Sequence, residues 1–312
     1  MACVNMAPDD FTYKYKTVSV SHLDELQQTV DKLRHEGKLS NHPTYRLYID
    51  TKKFQIPEDF PTAKSLIILA TPSKAMRVNF NLDGKNHEVL ISPEYYYYGL
   101  TNEILQNIVQ EKIIGQSGYR IERTKQVHLK LLAVRSGLGK YGRNNLCYVE
   151  GMGSFVTLYA FFTDYPFGDN WTEMGMMDIC ENCGICMHEC PTKSINEENF
   201  VIDAGRCLSL YNEIKGDFPE WIKPDAHNAL MGCMKCQWSC PANTEAVKST
   251  GRFEEVTEEE TKKILEGTPD KKLLDSLSRK LKEFEPTTSN EEFPVLTRNL
   301  RALLRLNVDQ RD

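Results

Sequence analysis

The chain lacks any apolar run long enough to cross a bilayer; its longest aliphatic stretch, Leu66–Ala70, falls far short of a spanning helix. An export signal is also missing from the opening residues MACVNMAPDD, which have neither a basic segment nor an apolar one behind it. There is no basic surplus. Lys and Arg number 38 against 44 Asp and Glu, a formal charge of −6, and this acidic balance disfavours broad contact with nucleic-acid phosphates. No long-period repeat is present, and the only biased tract is four consecutive tyrosines at 95–98. These absences exclude a helical membrane protein and a solenoid, and they point to a cytoplasmic chain in a reducing compartment.

Cysteine is abundant against that background. Of ten cysteines, eight fall between residues 180 and 240. In a reducing compartment such clusters are metal ligands rather than disulfides. Cys180, Cys183 and Cys186 are followed by Cys190 and Pro191, the C-x2-C-x2-C-x3-C-P run of bacterial ferredoxins. Three thiolates at this spacing let a tight loop wrap one corner of a cubane, while the fourth reaches the neighbouring cluster. A second half follows in Cys233, Cys236, Cys240 and Pro241, and Cys207 upstream supplies the cysteine it lacks. Crossing the ligands gives one [4Fe–4S] cluster held by Cys180, Cys183, Cys186 and Cys240. Cys190, Cys207, Cys233 and Cys236 hold the other. Zinc sites also use paired cysteines, but two matching C-P halves suit a tetrahedral ion poorly. Cys3 and Cys147 are left over, and the apolar context of Cys147 suits a small buried hydrophobe.

Elsewhere, Ser21 and Asp24 mark a helix start, with Leu23, Leu26, Val30 and Leu33 recurring along one face. Strands are expected at 63–72, 119–122 and 153–165, the last rich in β-branched and aromatic residues. Helices are expected at 100–114, 127–135 and 294–306. The segment 78–99 reads as polar and irregular, and 254–284 as solvated helices. The fold expected is α+β: an α/β core over 1–170, a ferredoxin-like two-cluster domain over 171–250 and a helical segment over 251–312.

Five segments carry a resemblance: GLGKYGRNNL (137–146), GSFVTLYAFFTDYPF (153–167), the first cysteine run, IDAGRCLSLYNE (202–213) and GCMKCQWSCPAN (232–243). They resemble epoxyqueuosine reductases and their relatives, the corrinoid-dependent reductive dehalogenases, over about residues 63–72 and 119–243. The resemblance implies a nitroreductase-like core holding cobalamin beside the cluster module, with electrons passing through two [4Fe–4S] clusters to cobalt. It implies that Gly139, Gly142, Arg143 and Asn144 face the corrin and substrate, and that Ser209 and Gly232 lie where the cluster module meets the corrin. The family's catalytic acid, some fifteen residues before the glycine loop, is replaced. Arg123 or Thr124 stands there, and Glu122 is the nearest carboxylate. The segment ISPEYYYYG (91–99) stands in place of the family's Arg-Asp-Tyr-His segment.

The reading is therefore an iron–sulfur reductase of a small-molecule or nucleoside-type substrate other than epoxyqueuosine. Its candidate catalytic residues are Tyr96, Tyr98, Arg143 and Glu122. A tyrosine phenol would donate a proton, its ionisation eased by Arg143. Alternate rings of an extended tyrosine run face opposite sides, so not all four can enter one pocket. The expected partners are a small-molecule substrate and an external low-potential donor such as a ferredoxin or flavodoxin; a membrane is not expected, and tRNA is disfavoured. One alternative is a non-catalytic electron-transfer protein docking to a partner redox or corrinoid enzyme. Another is a flavin-dependent reductase on the same core. Residues 137–142 also match G-x-G-x-x-G, but they follow a helical segment rather than a strand, which argues against a dinucleotide site. Among the histidines, His128 and His188 are weighed as ligands or acids, and His227 as a hydrogen-bond donor tuning the second cluster, with a structural role the plainer reading.

Overall fold

The computed structural model describes residues 12–95, 100–197, 201–282, 284, 287 and 290–305. Its described strands are β1 (Lys14–Ser19), β2 (Ser65–Pro72), β3 (Met76–Leu82), β4 (Lys85–Ile91), β5 (Ile121–Thr124), β6 (Lys140–Tyr141), β7 (Cys147–Tyr148), β8 (Val156–Thr163) and β9 (Gly251–Arg252). Two packing units interleave along the chain. The first comprises Met1–Pro72, Tyr97–Cys183 and Asn199–Val201; the second comprises Ser73–Tyr96, Gly184–Glu198 and Ile202–Asp312.

In the first unit an antiparallel sheet runs in the order β1-β2-β8-β5. Successive side chains of a strand point to opposite faces, so the unbroken apolar run of β2 serves two cores. Leu66, Ile68 and Ala70 pack with Ala160 and Phe162 of β8 against helices Leu23–His35 and Leu129–Arg135. Ile67 and Leu69 pack with Tyr159 and Phe161 against Leu105, Val109 and Ile113. Those last three lie on helix Asn102–Asn107 and its π-helical continuation Ile108–Ile114, which ends at Gly115 with φ 67°. The expected strands and helices of this region are present within a few residues.

The second unit corrects the reading of 78–99. Residues 76–91 form a β3–β4 hairpin turned by Asp83 and Gly84, at φ 50° and 68°. An Asp-Gly pair with positive φ matches the right-handed twist of the flanking strands. Val78, Phe80 and Leu82 face inward, alternating with half-buried Arg77, Asn79 and Asn81, and these polar residues disguise the strand. β9 adds in parallel to β3. Helices Glu258–Glu266, Lys271–Lys280 and Phe293–Leu303 close over the hairpin, burying Ile264, Leu277, Leu296 and Leu300 with Phe80 and Ile91. The charged 254–284 segment is thus amphipathic, not merely solvated. Among the described residues no helix is long and apolar enough to cross a membrane.

Polar side chains tie this last helix to the cysteine segments. Asn299, 1% exposed, donates to the carbonyls of Asn212 and Leu230, both at 2.8 Å. Asn212 in turn donates to the carbonyls of Ala229 and Gly232. Arg298 reaches the carbonyls of Tyr211 and Ile214 at the end of helix Leu208–Glu213. Replacing Asn299 with Ala strands two buried carbonyls and is expected to cost about 1–3 kcal/mol. A denaturant midpoint equal to that of the wild-type chain would count against this.

In the first unit, His22 hydrogen-bonds Glu25 through Nδ1 and Asp169 through Nε2, both at 2.6 Å, and stacks on Trp171 with ring centroids 4.1 Å apart. Burial opposes its protonation, but the two carboxylates outweigh burial and raise its pKa. The resulting stabilisation is full below the unfolded value of about 6.5 and lost as pH rises through the higher folded value. The gap in thermal midpoint between wild type and His22→Gln should therefore be widest at acidic pH and shrink on alkalinisation.

Candidate metal centre

Four of the predicted ligands, Cys190, Cys207, Cys233 and Cys236, belong to the second unit and follow from three short local structures. Cys190 ends helix Ile185–Glu189, Cys207 caps helix Leu208–Glu213, and Cys236 lies in helix Lys235–Trp238, three residues after Cys233. Cys190, Cys207 and Cys233 stand within electrostatic reach of one another. Burial pushes the Cys207 thiol up to about 11, and the neighbouring Cys233 adds to the rise. Such thiols give up their protons when bound metal takes the charge.

Donors surround these sulfurs. The backbone N–H of Ser194 reaches Cys190 Sγ at 3.3 Å, with Thr192 Oγ1 at 3.7 Å. Ser209 hydrogen-bonds Cys207 through both its backbone and its hydroxyl. Asn228 Nδ2 donates to Cys233 Sγ at 3.3 Å, and the Lys235 backbone does the same. An all-thiol set ringed by N–H donors fits an iron–sulfur cluster. Among the described residues no three His, Cys, Asp or Glu side chains could hold a single metal ion. A cubane spreads its four ligand sulfurs over a wider frame. Of the other predicted set, Cys180 and Cys183 lie in the first unit and Cys186 and Cys240 in the second.

The glycine loop belongs to the first unit and has reasons of its own. A Cβ on Gly139 would stand 2.6 Å from the Tyr148 carbonyl and 2.7 Å from Cys147 Sγ; one on Gly142 would stand 2.5 Å from the Tyr148 ring. Both glycines let β6 and β7 close on each other. Buried Asn144 donates to the Tyr148 hydroxyl at 3.0 Å and accepts from Leu146 N–H. Arg143 donates twice to the Cys180 carbonyl, at 3.3 and 2.9 Å. Ser209 is occupied by Cys207. In the second unit Gly232, at φ 70°, leaves room for Ser92 and Tyr95, which a Cβ would meet at 2.5 and 3.0 Å. The polar side chains that the resemblance turns towards a corrin thus already hold hydrogen bonds within the protein.

Tyr96, Tyr98 and Cys3 lie outside the described residues. Tyr95 is described: its hydroxyl donates to the Glu213 carboxylate, and its phenol lies within electrostatic reach of Cys207. Burial pushes Glu213 up to about 7, opposed by the Tyr95 bond and reinforced by Glu94. Nothing in the sequence singled out Glu213. Glu122 is ion-paired with Arg120 at 2.6 Å, and Arg123 donates to Asn102 Oδ1 and lies over the Tyr159 ring. Burial pushes the Cys147 thiol up to about 12, as befits an inert hydrophobe. Burial lowers His128 to about 4, with the Lys52 charge adding to the effect, and leaves it neutral. His188 is exposed beside Glu189. His227 packs on Phe218 with centroids 4.4 Å apart, while its neighbour Asn228 makes the bond to sulfur. An open groove of about 440 Å³ in the second unit, walled in part by Arg77, Glu88 and Asn228, contains none of the predicted residues.

The family described as 4Fe-4S double cluster binding domain matches residues 179–243. Epoxyqueuosine reductase of Staphylococcus aureus is 25% identical over 228 residues, covering 70% of this chain and 58% of that protein. The Escherichia coli enzyme is 37% identical over 131 residues, covering 41% and 31%. The chain spans about half the length of the curated relatives it matches. Among solved structures, Bacillus subtilis epoxyqueuosine reductase, seen with its catalytic aspartate loop swung out of the active site, superposes with a TM-score of 0.61 at 19% identity, covering 93% of this chain and 77% of that one. An epoxyqueuosine reductase bound to an epoxyqueuosine-modified tRNA stem loop gives 0.62, also at 19% identity, with coverage of 93% and 76%. At such identities the structures speak for a common fold. What the sequence, the cysteine pattern and the fold share with these proteins makes the chain epoxyqueuosine reductase-like, with a 4Fe-4S double cluster binding domain.

Proposed function

We propose that the chain is an iron–sulfur oxidoreductase that passes electrons from an external low-potential donor, of ferredoxin or flavodoxin type, through two [4Fe–4S] clusters to a substrate. The observation that carries this reading is the grouping of Cys190, Cys207 and Cys233 with N–H donors aimed at their sulfurs, inside the matched double-cluster region. Cys236 completes this set, and Cys180, Cys183, Cys186 and Cys240 form the other. A cluster so held stores one electron at a potential set by its surroundings. The organisation that goes with this function is a nitroreductase-like core over 1–170, a cluster domain over 171–250 and a helical segment over 251–312. The family likeness supports cobalamin as the group held in the core, where it would accept the electrons.

The chain's own residues supply a proton store. Tyr95 and Glu213 share a hydrogen bond within electrostatic reach of Cys207, and a carboxyl pushed up to about 7 exchanges protons near neutrality. The substrate we propose is not epoxyqueuosine in tRNA. Arg123 or Thr124 stands in the place of the family's acid, Glu122 is tied to Arg120, and the net charge is −6. A smaller substrate, or a free nucleoside, suits these substitutions better than a nucleic acid.

Two experiments test this. Cys233→Ala and Cys240→Ala should each remove about half of the iron, and each should abolish a different cluster signal in EPR of the reduced protein. Loss of the same signal in both would refute the crossed ligand sets. Separately, cluster-loaded protein should take up added cobalamin under anaerobic conditions yet leave an epoxyqueuosine-modified stem loop unreduced. Bound flavin in place of corrin, or turnover of the stem loop, would each overturn one part of the proposal.

A further inference from the structure

We propose that Asn228 is a potential-tuning residue of the second cluster, an inference that rests on the ligand set proposed above. Its side-chain amide has one orientation open to it. The Met234 backbone N–H points at the amide at 2.8 Å and requires an acceptor, so Oδ1 must face it. Nδ2 then faces both the Ala226 carbonyl at 2.8 Å and Cys233 Sγ at 3.3 Å, and its two hydrogens serve one each. The amide is thus clamped at three points, and the N–H···S contact is enforced rather than incidental. A serine hydroxyl, such as that of Ser209 on Cys207, can rotate between donor and acceptor, whereas this amide cannot.

The direction of the effect follows from charge. One-electron reduction adds negative charge to the cluster and its thiolates, and a hydrogen bond to sulfur strengthens as that charge grows. Asn228 therefore favours the reduced form and raises the midpoint potential. It does so from outside the cysteine loops, five residues before Cys233, as an outer-shell group that sets a metal centre without binding it.

The test is an anaerobic, EPR-monitored redox titration of full-length protein loaded with both clusters, using a chemical one-electron reductant. Cys207→Ala first identifies the second cluster as the signal it abolishes. In Asn228→Ala the midpoint of that signal should fall by about tenfold in the reduction equilibrium, or about 59 mV for a one-electron couple, while the other signal stays in place. Asn228→Asp keeps an acceptor for Met234 but sets a carboxylate oxygen against sulfur, so it should fall further. Iron content should match wild type in at least one variant. An unmoved or raised midpoint with both clusters present overturns the assignment of Asn228, as does an equal shift of both signals. Retention of both signals in Cys207→Ala overturns the ligand set beneath it.

Discussion

A thiol that binds iron must lose its proton, and burial resists that loss. Cys207 is held up to about 11 by its surroundings, so the charge of the bound thiolate has to be met by metal and by donors aimed at sulfur. Much of the second unit serves that requirement. The short helices after Cys207 and Cys233 direct N–H groups at the sulfurs, and Ser194 and Asn228 contribute donors from flanking loops. Leu208, Tyr211, Ile222 and Ala226 give these loops a small apolar cluster of their own, and polar bonds from elsewhere fix them further.

The fixing comes from the C-terminal helix. Asn299 and Asn212 form a ladder of amide-to-carbonyl bonds that joins the helix following Cys207 to the loop preceding Cys233. Arg298 covers the carbonyls at the end of the same helix and lies over Phe218. Burial lowers its pKa to about 10, which still leaves it cationic. Buried amide-to-carbonyl bonds of this kind favour one arrangement, because others would strand a donor or a carbonyl.

The cysteine spacing was legible because ligation is local chemistry written in short intervals. In the sheet of the first unit β2, β5 and β8 are legible from their β-branched and apolar residues, whereas β1, with the mixed sequence KYKTVS, is not. The β3–β4 hairpin was missed because a half-buried strand alternates with polar residues, although Asp83-Gly84 marked the turn. The loop at 137–146 shows a different limit. Its glycines look the same whether a cofactor or the chain's own Tyr148 demands the space, and here Tyr148 fills it. Asn228, Asn299 and Glu213 carried no signal at all, since single polar residues acquire their roles only through partners distant in sequence.

The hairpin at 76–91 and the helices after residue 257 share one apolar core with Leu230 and Met231, which sit just ahead of Cys233. The matched cluster region at 179–243 is therefore not a portable cartridge. Excised at its motif boundaries, it would lose the hairpin that precedes it and the helices that follow, and it would expose Leu230 and Met231 to water. Evolution or an engineer could not graft these cysteines onto another protein without also carrying over two flanking segments that contain no cysteine. In this protein the inheritable unit is larger than its metal signature.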